Sequence, residues 1–546
     1  MDSRGMLEFS FAPIQGFVNQ ARRTRDFWAG SYLISYLAAQ AMVGVERANG
    51  NNEIVFPAID DDFIIQAVRS GILPPKDESN LATRIGSVPN RFTALCEDPV
   101  VAGKAGAKAL HEAWRKIAEG VRQGIVWAIP ELEQDNVCAG WNKQIETLWE
   151  VYWVAGTDSA GLGERKNWRH FFTREEEGDM CSVCGERAIV ASEGLSRRRV
   201  RERWQEITSR LNKRWPYALD DEGIERLCAV CLVKRIFPYL AQDLLGWPVI
   251  QNFPSTLDFA PGAGQTASGK PSYYAILIMD GDRLGLNLSH YPKQKKDISN
   301  ALAKFSRAVV PTVEQNFKGR VVYAGGDDVL ALLPLKTALR CAGELRTIYQ
   351  QMSPPNINLT ISAAILYVHG KSPLQAALSS AHSLLDKVAK DGVGRDAFAL
   401  QVEKRSGSPL RLAKPWESQG HKWAEEIDSL SSLIFPQEES AYSSRFLYNT
   451  AELLTPFLDN KLNESQKMGA DKIVPLLTAE YLRNRDLTWP HEYTQEEIKI
   501  EAINRMQVLY KLLLWEQREK GQIKTCGFQP QALPLLRFLA AEGVGR

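Results

Sequence analysis

The sequence predicts an α+β protein of several domains, and three observations carry that reading. Between Tyr273 and Val402, strand-like and helix-like segments follow one another as β-α-β-β-α-β, with one more helix and strand appended. That is the ferredoxin-like arrangement. Two C-x-x-C pairs stand apart from it in a tryptophan-rich, helical stretch. The chain's 546 residues exceed what one core serves, and about three or four domains is the natural division. Lys+Arg number 66 against Asp+Glu 65, so overall charge singles out no partner and local patches must carry any nucleic-acid argument. No apolar run approaches the roughly 18 residues of a membrane span, and the N-terminus has no signal-peptide pattern. A soluble, cytoplasmic protein without a membrane partner is expected. Eight cysteines, as two close pairs and four singles, are not a disulfide framework.

In chain order, residues 7–12 read as a strand, followed by a long helical pattern from about Val18 to Val45. The stretch I-V-F-P-A-I-D-D-D-F-I-I (Ile54–Ile65) then reads as strand, acidic turn, strand. It matches V-V-Y-A-G-G-D-D-V-L-A-L (Val321–Leu332) in pattern, with Pro57-Ala58-Ile59 where the glycines stand. Either this is an internal duplication whose first copy has lost its backbone freedom, or two unrelated hairpins share a pattern. Ser87–Leu95 supplies another strand, and Pro99–Ile129 is largely helical. Residues 136–250 contain Cys181, Cys184, Cys228 and Cys231. Four thiolates complete a tetrahedral structural zinc site and leave no open position for substrate; the alternative is four unligated thiols. The long insert between the pairs carries Arg197, Arg198, Arg199, Arg201, Arg203, Arg210, Lys213 and Arg214. This is either a patch for a phosphate backbone or a solvated helix face balanced by Glu202 and Glu206.

A Gly/Pro/Ser-rich loop within Gln251–Ser272 leads into the buried strand Tyr273–Met279, which ends in Asp280-Gly281-Asp282. Helices are expected over Gln294–Asn316, Lys336–Met352 and Leu374–Lys390, and strands over Asn356–Tyr367 and Arg395–Val402. Gly325-Gly326-Asp327-Asp328 lies between two short apolar runs and reads as a hairpin turn. Its glycines allow positive φ and close ligand approach. In a ferredoxin-like sheet the first strand lies beside the central hairpin, which brings Asp280 within reach of Asp327. Two such carboxylates suit Mg²⁺ or Mn²⁺ carrying a triphosphate, and two ions could activate a hydroxyl and stabilise leaving pyrophosphate. Lys390 either neutralises those phosphates or is a helix-end lysine answering the dipole. From Leu410 onward the pattern is helical, including Ser443–Leu458, Ala470–Arg483 and Gln495–Lys520.

With these residues in place, the sequence resembles the large palm-domain subunit of type III-B CRISPR (Cmr) effector complexes over nearly its whole length. The resemblance rests on P-I-Q-G-F-V-N-Q-A-R-R-T-R-D-F-W-A-G-S-Y-L-I-S-Y-L (Pro13–Leu37), V-P-N-R-F (Val88–Phe92), both C-x-x-C pairs, F-P-S-T (Phe253–Thr256), D-G-D-R-L-G and G-G-D-D. It implies two ferredoxin-like palms packed face to face, a zinc-binding helical domain between them in sequence, and a C-terminal helical domain. The boundaries expected are 1–135, 136–250, 251–409 and 410–546. It further implies a complex with other Cmr subunits, CRISPR RNA and target RNA, in which target pairing switches on conversion of ATP to cyclic oligoadenylates through 3′–5′ bonds. Asp280 and Asp327 carry over as metal carboxylates, Asp328 as their motif neighbour, Gly281 as a backbone-carbonyl ligand, and Gly325 and Gly326 as the phosphate-side turn. Residues of Arg22–Ser31 are expected near a second ATP. A silent scaffold or a different AMP-containing product remain alternatives. Many relatives begin with an HD nuclease domain; here the first palm starts almost at Met1 and no His-Asp dipeptide occurs, so DNA cleavage is not expected.

Overall fold

The structure is a computed structural model that describes residues 4–71, 85–156, 162, 165, 176, 178–192, 194–220, 223–247, 253–259, 273–404, 407–434, 442–454, 469–483 and 493–543. Most of the Gln251–Ser272 loop and the end of the Ser443–Leu458 helix lie outside them. The chain forms two compact units. One comprises Met1–Ser255, Leu288–Arg307 and Val322–Gly326; the other comprises Thr256–Asn287, Ala308–Val321 and Asp327–Arg546. No helix among the described residues is long and apolar enough to cross a membrane.

In the first unit, β1 (Gly5–Ala12), β2 (Glu53–Phe56), β3 (Arg91–Cys96) and β4 (Glu150–Gly156) form a sheet in the order β2-β3-β1-β4. Every pairing is antiparallel. Helices Thr24–Glu46 and Pro99–Ile125 make the two crossovers, so this too is a ferredoxin-like sheet. Thr24–Glu46 is buried on nearly all sides, from Phe27 to Val45, as expected of a helix that is apolar around its circumference. Gly44 and Gly106 let this helix meet Pro99–Ile125 closely: a Cβ on Gly44 would stand 2.6 Å from that of Ala109.

Two expectations are corrected here. The segment after the acidic triplet is not a strand but the helix Phe63–Ser70, whose N-cap Asp62 accepts a hydrogen bond from Ile65 N at 3.1 Å. Ile64, Ile65, Ala67 and Val68 are its buried face and Gly71 closes it at φ +63°. The run F-I-I-Q-A-V therefore has helical rather than strand period, and β2 pairs with the more distant β3. Glu150–Gly156, expected within the helical cysteine-bearing stretch, is instead the edge strand paired to β1, with Phe9 opposite Trp153.

The second sheet comprises β5 (Tyr273–Gly281), β6 (Arg320–Gly325), β7 (Asp328–Pro334), β8 (Ile361–His369), β9 (Ala397–Val402) and β10 (Leu410–Pro415). Its order is β10-β9-β8-β5-β7-β6. The β6-β7-β5-β8 part repeats the topology of the first sheet, so the duplication is visible in the fold although the hairpin match that suggested it is not one. β8 and β9 run parallel, joined by a helical crossover through Leu374–Ser383. β5 and β8 are buried along almost their full length, as central strands covered on both faces should be.

Helices Trp423–Ser432, Ser444–Leu454, Ala470–Arg483, Gln495–Leu513 and Ala532–Gly543 follow. The expectation of a helical domain from about Leu410 is corrected at two places. β10 extends the sheet, and the helix expected to reach Lys520 stops at Leu513, giving way to a hairpin of Leu514–Glu519 with Gln522–Phe528. Its turn, Lys520-Gly521, has φ of +49° and +82°, the signature of a type I′ hairpin. Good helix formers lose here to burial: Glu516 is fully enclosed and accepts hydrogen bonds from Lys414 Nζ (2.9 Å), Ser418 Oγ (2.7 Å) and Gln419 Nε2 (2.7 Å).

Candidate active site and metal centre

The antiparallel ladder of β5 and β7 ends with Met279 opposite Val329. One step further, Asp280 on β5 and Asp328 on β7 lie side by side, with Asp327 in the turn. That turn is Gly326-Asp327, and Gly326 supplies its positive φ of +65°. No atom lies within 4 Å of where a Gly326 Cβ would be, so this corner of the turn is open. Gly325 has a different reason to be glycine. Its φ is not positive, and a Cβ there would stand 2.6 Å from Ser87 O and 2.3 Å from the Tyr323 hydroxyl. Gly281 is a third tight position: a Cβ would lie 2.6 Å from both Cβ and Oδ2 of Asp327 and 2.7 Å from the Tyr349 hydroxyl. Glycine at 281 is what lets Asp327 approach β5.

Lys390 ends a helical turn, Leu384–Lys390, and its Nζ bonds Asp280 Oδ2. Burial, then repulsion from Asp280, pushes Asp327 up to about 7. Crowding and repulsion from Asp327 and Asp280 shift Asp328 upward as well; its residue surface is exposed, so repulsion between like charges is the stronger reason. Three converging carboxylates, of which Asp327 and Asp328 are held above the ordinary range, fit a site for divalent cations, which would restore the charged forms of those two. Asp280, Asp327 and Asp328 are the residues that could hold them.

Sequence reasoning missed the support beneath this cluster. Asp282 is buried, accepting from Thr360 Oγ1 (2.9 Å), Ser362 Oγ (2.7 Å) and Asp396 N (2.9 Å). It fixes the end of β5 rather than offering a ligand. Asp396 lies at the end of three consecutive positive-φ residues, Gly394, Arg395 and Asp396. Its carboxylate stands 3.5 Å from Arg346 and 3.2 Å from Arg518. Arg518 N also donates to Val393 O at 2.6 Å, so the C-terminal hairpin fastens the loop that follows Lys390. Tyr349 is buried against the carboxylates, and its pKa is driven well up by burial and by Asp327. An aspartate two residues after Asp280 was a visible signal; Tyr349 had none.

In the first unit, the ligand atoms of Cys181, Cys184, Cys228 and Cys231 all lie within 4.8 Å of one another. Cys184 and Cys228 sulfurs are 3.8 Å apart. Four thiolates at about 2.3 Å from one tetrahedral ion would stand about 3.8 Å apart, so the cluster fits zinc. Cys181 and Cys228 sulfurs each accept a backbone N–H, from Val183 and Cys231, both at 3.4 Å. The long insert returns because Ser182 and Arg226 exchange two hydrogen bonds at 2.9 Å. Beside the cluster, Arg235 bonds Asp26 (2.6 and 2.8 Å) and Glu225 (2.8 and 3.0 Å). Arg23 adds a 2.8 Å pair to Glu225. The A-R-R-T-R-D segment thus commits Arg23 and Asp26 to an ion network with the cysteine-bearing helix Ala229–Leu245, and Phe27 and Trp28 to the core.

A ferredoxin-like sheet with paired carboxylates at a glycine hairpin defines the palm class, the fold of nucleotide cyclases. A family model described as Cas10/Cmr2, second palm domain, matches residues 273–399, and one for the N-terminal part of CRISPR-associated protein Cmr2 matches residues 6–119. The two matches support a Cmr2/Cas10 subunit. The chain is 23% identical to the CRISPR system Cmr subunit Cmr2 of Pyrococcus furiosus, over 88% of this chain and 69% of that protein. Chains of two cryo-EM structures share its fold. In the type III-B Cmr-beta complex in the apo state the TM-score is 0.61 at 14% identity, covering 98% of this chain and 82% of the other. In Cmr-beta bound to cognate target RNA it is 0.62 at 15%, covering 99% and 83%.

Proposed function

We propose that this chain is the ATP-consuming subunit of a type III-B CRISPR effector complex, joining AMP units through 3′–5′ bonds into cyclic oligoadenylates when target RNA pairs with the guide. The observation that carries this reading is the convergence of Asp280, Asp327 and Asp328 at the end of the β5–β7 ladder, with Lys390 against them. Two Mg²⁺ or Mn²⁺ ions, when bound, supply hydroxyl activation and charge stabilisation at the leaving pyrophosphate. The chain's residues do the rest. Asp280 at the end of its strand and Asp327 in the neighbouring turn would hold the cations, and Asp328 reinforces the negative field. Gly281 keeps Asp327 close and presents its carbonyl as a further ligand. Gly325 and Gly326 leave the turn free of side chains where phosphates approach, and Lys390 exchanges its Asp280 partner for phosphate oxygen. Other Cmr subunits, CRISPR RNA and target RNA are its partners, in the cytoplasm, and zinc is its structural metal.

The test incubates the assembled complex with labelled ATP, Mg²⁺ or Mn²⁺ and cognate target RNA. New oligoadenylates are expected, with none from Asp327→Ala/Asp328→Ala. Absence of any oligonucleotide from the unmodified complex, or synthesis that survives the double substitution, would reject the assignment in favour of a scaffold role.

A further inference from the structure

The cysteine cluster carries a charge that its own four sulfurs cannot offset. One divalent zinc held by four thiolates leaves two negative charges, and Cys181, Cys228 and Cys231 are buried. Uncompensated charge in such surroundings is strongly disfavoured. Backbone N–H groups reach two of the sulfurs, but dipoles offset only part of a full charge. Among the described residues of the first unit the buried cations are Arg187, Lys234 and Arg235. None of the cations on the insert's helix Arg197–Arg214 is among them. Arg235 is committed elsewhere: with Arg23 it meets Asp26 and Glu225, two cations against two carboxylates. Arg187 and Lys234 remain.

Both belong to the segments that carry the cysteines. Arg187 closes the first turn of sulfurs: its carbonyl accepts from Cys181 N at 2.8 Å, while Gly185 N donates to Cys181 O at 2.9 Å. Lys234 lies three residues after Cys231 on the helix Ala229–Leu245, hence on the same face. The two differ in what else they do. Lys234 Nζ donates to Phe17 O and Gln20 O, at 2.5 Å each, so it has a second reason to be there. Arg187 has no such reason. Its Nε and Nη1 are buried and donate to no acceptor among the described residues. The exposed Glu186 stands 3.4 Å from Nη1. Burial opposes the charge on Arg187, yet Cys228 and Cys184, then Glu186 and Cys231, hold its pKa above the ordinary value. Buried donors left without acceptors destabilise a fold unless a neighbouring negative charge holds the group in place.

We propose that Arg187 is the charge-compensating residue of the four-cysteine centre: its guanidinium secures the metal and shields the sulfurs from electrophiles, with Lys234 supplying the second balancing charge. This role rests on the zinc reading of the cluster. A cation beside a thiolate lowers the energy of the sulfur lone pairs, so the sulfur attacks electrophiles less readily. Groups behind the ligands set how firmly a metal is kept, and here the whole demand falls on a residue that makes no other charged contact in the interior.

The full chain is purified, its zinc content measured, and its zinc affinity read by competition with a chromophoric chelator. Zinc release on treatment with N-ethylmaleimide, which adds to thiolates, reports how well the sulfurs are shielded. Arg187→Met should weaken zinc binding about 10- to 100-fold, the usual effect of losing a partner behind the ligands, and should release zinc faster. Arg187→Lys keeps the charge and should return both readouts close to those of the unmodified chain. In the cobalt-loaded chain, Arg187→Met should move the sulfur-to-metal charge-transfer band to longer wavelength, which a loss of packing alone does not do. Glu186 is exposed, so Glu186→Gln keeps the fold; by removing the carboxylate that competes for Arg187 it should slow release. The proposal is overturned if Arg187→Met keeps zinc and resists N-ethylmaleimide as the unmodified chain does, if Arg187→Lys is as impaired as Arg187→Met, or if Glu186→Gln releases zinc as fast or faster. An unmodified chain that holds no zinc refutes the centre itself, and this role with it.

Discussion

Gly281 shows how much rests on one missing methyl group. The residue follows Asp280, the first of the proposed metal carboxylates, and its Cα is so close to Asp327 and Tyr349 that a Cβ has no place without moving one of them. Gly281→Ala should therefore keep the fold, by circular dichroism and melting, while ATP turnover falls about 100-fold, the usual effect of a displacement near 1 Å at a reacting centre. Turnover unchanged in that variant would mean that Asp327 is not held by this contact. At this scale the sequence was informative wherever chemistry dictated residue type: the aspartates, the lysine and the four cysteines stand in the groups expected of them. It was silent on Tyr349, because a tyrosine in an amphipathic helix looks like any core tyrosine. It was also silent on which aspartate of D-G-D turns inward, since that depends on Thr360 and Ser362 reaching it from the next strand.

Among elements, the helices Thr24–Glu46 and Ala229–Leu245 are joined by a buried ion network centred on Arg235. Its carboxylate Glu225 is only 1% exposed; although burial opposes ionisation, Arg235 and Arg23 hold it down to about 2 from an ordinary 4.5. A depressed carboxylate stabilises the fold fully above its unfolded pKa, and that contribution is lost as pH falls from about 4.5 through about 2. The shift corresponds to about 3 kcal/mol. Glu225→Gln should accordingly lower the unfolding free energy by about that amount at pH 7, with the gap to the unmodified chain closing below pH 4.5. Denaturant titrations at several pH values would show it, and a pH-independent gap would refute the ion-network account. Strands were legible in the sequence where both faces are buried, as in Y-Y-A-I-L-I-M and I-S-A-A-I-L-Y. They were not legible in E-V-Y-W-V-A-G, an edge strand lost among tryptophans, or in L-W-E-Q-R-E, whose helical propensity is overridden by the enclosed Glu516.

Over the whole molecule, two copies of one topology serve different ends: the first sheet carries the cysteine centre and the arginine helix in its continuation, while the second carries the carboxylates. The four thiolates join residues that the Arg197–Arg214 insert separates, so the metal should act as a staple across a long loop. Metal analysis of the purified chain is expected to find about one zinc. Chelation or Cys231→Ser should lower its melting temperature, and a zinc-free chain of undiminished stability would reject the centre.

The clasp between Arg518 and the Val393–Asp396 loop has a consequence in time. During synthesis the loop behind Lys390 emerges more than a hundred residues before the strand that fastens it, and domains fold as they leave the ribosome. The sheet can thus assemble early while Lys390, proposed to face phosphate, stays unsecured until Arg518 has been made. A nascent or prematurely terminated chain would then carry Asp280, Asp327 and Asp328 and still, on the proposed function, be unable to consume ATP.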